Sequence, residues 1–194
     1  MASKTLTVLG AKGAGKKTLI GSLIYKCGMG LEQLAQLERS TNGNYADIVS
    51  FFEEKDITKS FYTPSANIVI EQSTKPDIAC WVVDATDPDR GRASSSELIS
   101  LITAGLLQPK DKLLILINKM DLIHWSEDVF KETATAFDAV DSKPARAYII
   151  PISALQGGNV LEMPNGLPWP RGDRSLDHPG PEVVTERTLM QVLG

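Results

Sequence analysis

Gly10-Ala11-Lys12-Gly13-Ala14-Gly15-Lys16-Lys17-Thr18 places three glycines and three lysines in nine residues. The apolar run Thr5 to Leu9 leads into this stretch, and an apolar helical pattern from Leu19 leads out of it. Glycines let backbone N–H groups turn inward toward an anion, and a helix beginning there adds its positive dipole end. Lys16 supplies a full charge to the outer phosphates. Gly10, Lys12, Gly13, Ala14, Gly15, Lys16, Lys17 and Thr18 are therefore candidate phosphate-binding residues. One position departs from phosphate-loop chemistry: the residue after the lysine should offer a hydroxyl to magnesium, and it is Lys17. Thr18 comes one residue late and would point about 100 degrees around the helix.

Asn118-Lys119-Met120-Asp121, at the end of the apolar run Lys112 to Ile117, is the second chemical signal. A carboxylate there can accept two hydrogen bonds from guanine N1 and N2, which adenine does not offer. An asparagine can hold the loop and reach N7, while a lysine stem covers the flat base. Ser153-Ala154, with Leu155 after it, follows a later strand and is a weaker third signal. Taken in order, the three are far more specific than any one of them.

These groups need strands that end at them. Thr5 to Leu9, Asn67 to Glu71, Ile78 to Asp84, Lys112 to Ile117 and Ala147 to Ile152 read as β-runs. Leu19 to Gly28, Leu31 to Arg39, Tyr45 to Glu54, a segment capped by Ser94 with Glu97, and one begun by Ser126 read as helices. Alternation of this kind predicts an α/β fold: a doubly wound, mostly parallel sheet. Only Gln72 to Asp77 separates two of the β-runs, too few residues for a crossover helix. The chain either crosses without a helix or the two strands are antiparallel. Residues 163–181 are expected to be a Pro-rich irregular segment, with Pro181 in the first turn of a closing helix over 182–193.

A length of 194 residues with 42% hydrophobic content suits one core and a single domain over 1–194. A formal charge of -4 gives no basic field for a nucleic acid backbone, so direct nucleic acid binding by this domain is unfavoured. Cys27 and Cys80 lie inside apolar patterns without metal spacing. No leader pattern precedes the first strand and no apolar run approaches the ~18 residues that span a bilayer. The expected location is cytoplasmic, with no membrane contact.

The residues resemble the translational GTPases, most closely the G domain of eukaryotic elongation factor 1-alpha and its termination and rescue relatives. LIGSLIYKCG at Leu19 to Gly28 looks like that family's first helix, and NKMD at Asn118 to Asp121, PIS at Pro151 to Ser153 and GGNVLEMPNGLPW at Gly157 to Trp169 resemble its later landmarks. The resemblance implies a P-loop GTPase fold binding GTP or GDP. Asn118, Lys119 and Asp121 would contact the base, and Ser153 with Ala154 would close over its O6, with Leu155 alongside. In that family further domains follow the G domain, at the point where this sequence stops.

The departures matter as much. Thr58 sits where the first switch threonine is expected, without the arginine and glycine that surround it in the family. The DxxG motif and its following histidine have no counterpart after Glu71, and the second switch helix is missing, which shortens the switch region. The expectation is a guanine-nucleotide-binding pseudo-GTPase with little or no hydrolysis and no assured magnesium site, since positioning and metal charge carry phosphoryl transfer to water. Two alternatives stand beside it: an active GTPase completed by a partner or further domains, with Asp84 as a metal carboxylate, and a nucleotide-free interaction domain. Loss of the helix is also expected to uncover an apolar sheet face, to be covered by a partner, a second copy or Leu31 to Glu54.

Overall fold

Strand β1 (Ala2–Gly10) alternates Leu6 and Val8 onto one face and Thr5 and Thr7 onto the other, and the sheet is built outward from it. The computed structural model describes residues 2–40, 44–164, 169 and 180–194. The expected Pro-rich segment lies mostly outside them. The remaining strands are β2 (Ser60–Tyr62), β3 (Ala66–Ile70), β4 (Ile78–Asp84), β5 (Lys112–Asn118), β6 (Arg146–Pro151) and β7 (Glu182–Val183). They form one seven-stranded sheet in the order β2-β3-β1-β4-β5-β6-β7, in which only β2 is antiparallel to its neighbour.

β4 and β5 are apolar along nearly their whole length because both of their faces are covered. Ile78, Cys80, Val82, Leu114 and Leu116 face one core, with Leu6, Val8 and the buried residues of α1 (Lys16–Cys27) and α3 (Tyr45–Glu54). Ala79, Trp81, Val83, Leu113, Ile115 and Ile117 face the other, with Leu98 of α4 (Pro88–Thr103) and Phe130 and Ala134 of α5 (Glu127–Thr135). α2 (Leu31–Ser40) adds Leu37 to the first core, as does α6 (Leu189–Leu193) with most of its length. Helices on both faces of a mostly parallel sheet are the expected doubly wound α/β arrangement.

The connection from β3 to β4 resolves the alternatives left by its length. Both strands run parallel to β1 and flank it, so the chain crosses without a helix and the antiparallel option is excluded. Register explains why so few residues suffice. Ile70 at the end of β3 and Ile78 at the start of β4 are both level with Leu6. The crossing therefore moves sideways by two strand spacings, about 10 Å, instead of descending a strand's length. Thr7 and Thr5 fasten it. Thr7 Oγ1 donates to the Glu71 carbonyl at 2.8 Å and accepts from Ser73 N at 3.1 Å. Asp77 accepts from Thr5 N at 2.8 Å and from Thr5 Oγ1 at 3.0 Å.

That arrangement corrects the expected apolar patch. The face of β1 turned toward the crossing presents Thr5 and Thr7, and Thr7 is already 1% exposed beneath the strap. Leu31 to Glu54 does not cover it either, since α3 packs on α1 over the opposite core. Two local expectations also change. Glu182 and Val183 pair with β6 as an edge strand, so the last helix is only Leu189–Leu193, capped by Thr188 and Gln191, and Pro181 precedes a strand. Ser94 lies inside α4, which begins at Pro88. Its hydroxyl accepts from Trp81 Nε1 at 2.8 Å, and a buried indole partner outweighs a capping role there.

Candidate functional site

The glycine-rich loop leaves the end of β1 and runs into α1, in the order the phosphate reading requires. Gly10, Gly13 and Gly15 all have positive φ, at 132, 86 and 100 degrees. Two of them are also sterically fixed. A Cβ at Gly10 would sit 2.2 Å from the Val82 carbonyl oxygen, and one at Gly15 would sit 2.3 Å from Asn118 Nδ2. At Gly13 the same atom would meet nothing within 4 Å, so the loop is open on that side. Ala14 N turns back to the Ala11 carbonyl, and Leu19 N makes the first helical bond to Gly15. The backbone N–H groups of Gly13, Gly15, Lys16, Lys17 and Thr18 have no acceptor among the described residues. Unpaired donors gathered around the start of a 12-residue helix form an anion cradle.

Lys16 folds over this cradle, with Nζ donating to the carbonyls of Gly10 at 2.6 Å and Ala11 at 2.7 Å. Burial lowers its pKa and the charge of Glu97 on α4 raises it, with a net decrease. Lys12 and Lys17 are exposed, and Thr18 is half-buried. The Lys17 charge is felt by Glu53 on α3, whose carboxylate is held below its usual range first by its bond to Lys59 Nζ, 2.9 Å away. No cluster of three or more His, Cys, Asp or Glu suited to a metal occurs among the described residues. The loop's donors fit phosphate; position 17 does not fit magnesium.

Asn118, 2% exposed at the end of β5, connects the two halves of the site. Its Nδ2 donates to the Ala14 carbonyl at 2.8 Å and its Oδ1 accepts from Ala154 N at 2.9 Å. The glycine-rich loop, the NKMD turn and the Ser153-Ala154 turn are thus pinned by one buried amide. Lys119 adopts the left-handed conformation at φ 67 and donates from Nζ to Asp84 Oδ2 at 2.6 Å. Asp121 lies in a short 3-10 helix, Met120–Ile123, and its carboxylate has no protein partner among the described residues. Ser153 is fully buried, and Leu155 projects with 62% exposure. Because Ala154 N is bonded to Asn118, Leu155 N is the N–H of this turn left without an acceptor among the described residues.

Asp84, considered above as a metal carboxylate, is already engaged. Burial pushes its carboxyl up, but bonds from Lys119 and from both the N and Oγ1 of Thr86 outweigh this and hold it below the usual range. Thr58 sits exposed in the connection between α3 and β2. Glu97 was legible only as a cap partner; its approach to the phosphate loop comes from the packing of α4 beside β4 and has no sequence signal.

No family model matches the chain. Among curated proteins it is 26% identical over 229 residues to elongation factor 1-alpha-A of Schizosaccharomyces pombe, covering 97% of this chain and 48% of that protein. Elongation factor 1-alpha of Methanosphaera stadtmanae is 33% identical over 125 residues, covering 59% of this chain and 29% of the relative. The chain thus spans about half the length, or less, of these curated relatives. Among solved structures, Sup35 complexed with GMPPNP superposes with a TM-score of 0.63 at 19% identity, covering 99% of this chain and 44% of that one. The GTPase-like domain of Saccharomyces cerevisiae Ski7 bound to GTP gives 0.62 at 18% identity, covering 99% and 49%. The structural likenesses establish the fold, and the curated relatives support the resemblance to a translational GTPase G domain.

Proposed function

We propose, from the premise of an elongation-factor-like G domain, that this chain binds GTP or GDP and has little or no capacity to hydrolyse GTP. The observation that carries the binding half is the row of unpaired N–H donors in the phosphate loop, joined through Asn118 to the turn that holds the free Asp121 carboxylate. Gly10 to Thr18 hold the phosphates, with Lys16 moving its ammonium from the loop carbonyls onto them. Asp121 accepts from guanine N1 and N2, and the Lys119 stem, braced by Asp84, lies along the base. The donor to guanine O6 is the Leu155 N–H, because Ala154 N is occupied. Asn118 acts mainly by keeping the loops in register.

The catalytic half rests on what replaces the second switch. Residues 71–77 are a short strap tied to Thr5 and Thr7, with neither a glycine nor a histidine to orient an attacking water. At the metal position Lys17 takes over part of the magnesium charge, so nucleotide affinity is insensitive to metal. The reading is of a binding or regulatory module of a single domain, working in the cytoplasm.

A titration with fluorescent GDP and ATP, in magnesium and in EDTA, tests ligand, base preference and metal dependence together. Submicromolar GDP binding that survives EDTA and disappears in Asp121→Asn is the expected result. Equal affinity for ATP would overturn the guanine reading, and a strong loss in EDTA would overturn the role of Lys17. Single-turnover GTP hydrolysis above the uncatalysed rate would overturn the pseudo-GTPase reading.

A further inference from the structure

Between the phosphate loop and α4 lies a cavity of about 510 Å³, lined by Ala11 and Lys12 on one side and by Ala93, Ser94 and Glu97 on the other. Lys16 Nζ donates at 2.7 Å to the carbonyl of Ala11, a residue that lines this cavity. Glu97 is exposed, and its carboxylate has no hydrogen-bond or ion-pair partner among the described residues. A terminal phosphate entering this cavity would stand beside the Glu97 carboxylate, with only the side chains of Lys12, Lys16 and Lys17 to offset its charge.

We infer that Glu97 is a specificity-determining residue that makes the site select the nucleoside diphosphate over the triphosphate. The inference rests on the guanine-nucleotide reading and adds its phosphate selectivity. A carboxylate facing the cavity repels a terminal phosphate while leaving the inner two phosphates to the loop amides. Lys16 already senses this carboxylate, which holds its ammonium more firmly protonated than burial alone would. Glu97 thus supplies part of the negative charge that the terminal phosphate would otherwise supply to Lys16. One like-charge contact at the rim of a solvent-open site corresponds to roughly a tenfold difference in affinity.

The test measures GDP and GTP affinity of the whole chain by calorimetry, with EDTA and with magnesium, for wild type, Glu97→Gln and Glu97→Ala. Glu97 is exposed, so both variants should unfold at the wild-type urea midpoint. Wild type is expected to bind GDP about tenfold or more tighter than GTP, and both variants to close most of that gap by strengthening GTP alone. Equal GDP and GTP binding in wild type, unchanged in the variants, would overturn the inference and leave the nucleotide reading standing. Weaker magnesium-dependent GTP binding in the variants would make Glu97 a metal ligand and overturn it as well. Binding of neither nucleotide by wild type would overturn the nucleotide reading, and this inference with it.

Discussion

Replacing Asn118 by alanine removes two hydrogen bonds at once and leaves their partners stranded. The Ala14 carbonyl and the Ala154 N–H belong to residues that are each 1% exposed, so water does not readily replace the lost amide. Each lost bond costs about 1 kcal/mol net, and a buried group left unsatisfied adds about 1–3 kcal/mol. Partial relaxation of the two turns lowers the sum, and Asn118→Ala should destabilise the fold by about 2–4 kcal/mol. Asn118→Asp keeps an acceptor for Ala154 N but sets a carboxylate against the Ala14 carbonyl, so it should cost at least as much. Urea unfolding followed by circular dichroism measures both, with an unchanged m-value showing that only the folded state has been weakened. A loss below about 1 kcal/mol in both variants would mean that the three turns are held without this bridge, and would refute its role in registering the glycine-rich loop with the Ser153-Ala154 turn.

Gly10→Ala should destabilise by about 2 kcal/mol or more, because it combines a positive φ with a 2.2 Å approach to the Val82 carbonyl, whereas Gly13→Ala carries only the strained φ, about 1 kcal/mol. Equal urea midpoints for the two would contradict the close β1–β4 approach at the loop entrance. The Thr5 backbone N–H, chiefly, holds the Asp77 carboxyl below its usual range. A lowered folded-state value means that this carboxylate stabilises the fold above the ordinary aspartate range and that the contribution is lost as pH falls through it. Wild type should therefore lose more stability between about pH 6 and pH 3 than Asp77→Asn does, and parallel pH profiles would show that Asp77 does not fasten the strap.

The five longer strands, the first three helices, the glycine-rich loop and the NKMD turn were legible in the sequence, because each is written in local terms: apolar periodicity, glycines before a lysine, an asparagine and aspartate closing an apolar run. The edge strand Glu182–Val183 was not, and stood inside an expected helix. Ile78 to Asp84 was legible to the residue, as a run buried on both faces leaves no polar interruption. β2 was missed because three residues at a sheet edge carry no period. Ser94 misled because a capping pattern and a buried indole acceptor use the same residue type. The length of the β3–β4 connection raised the right question without answering it. Only the register, with Ile70 and Ile78 both level with Leu6, turned a missing helix into a sideways step held by two threonines. In the same way the sequence determined that a glycine-rich loop with its lysine joins β1 to α1 and that position 17 is a lysine, through covalent order alone. Which charges surround that loop was decided by tertiary packing, since Glu97 reaches it on a helix placed by the opposite core, and Coulomb interactions depend on distance in space and not on separation along the chain.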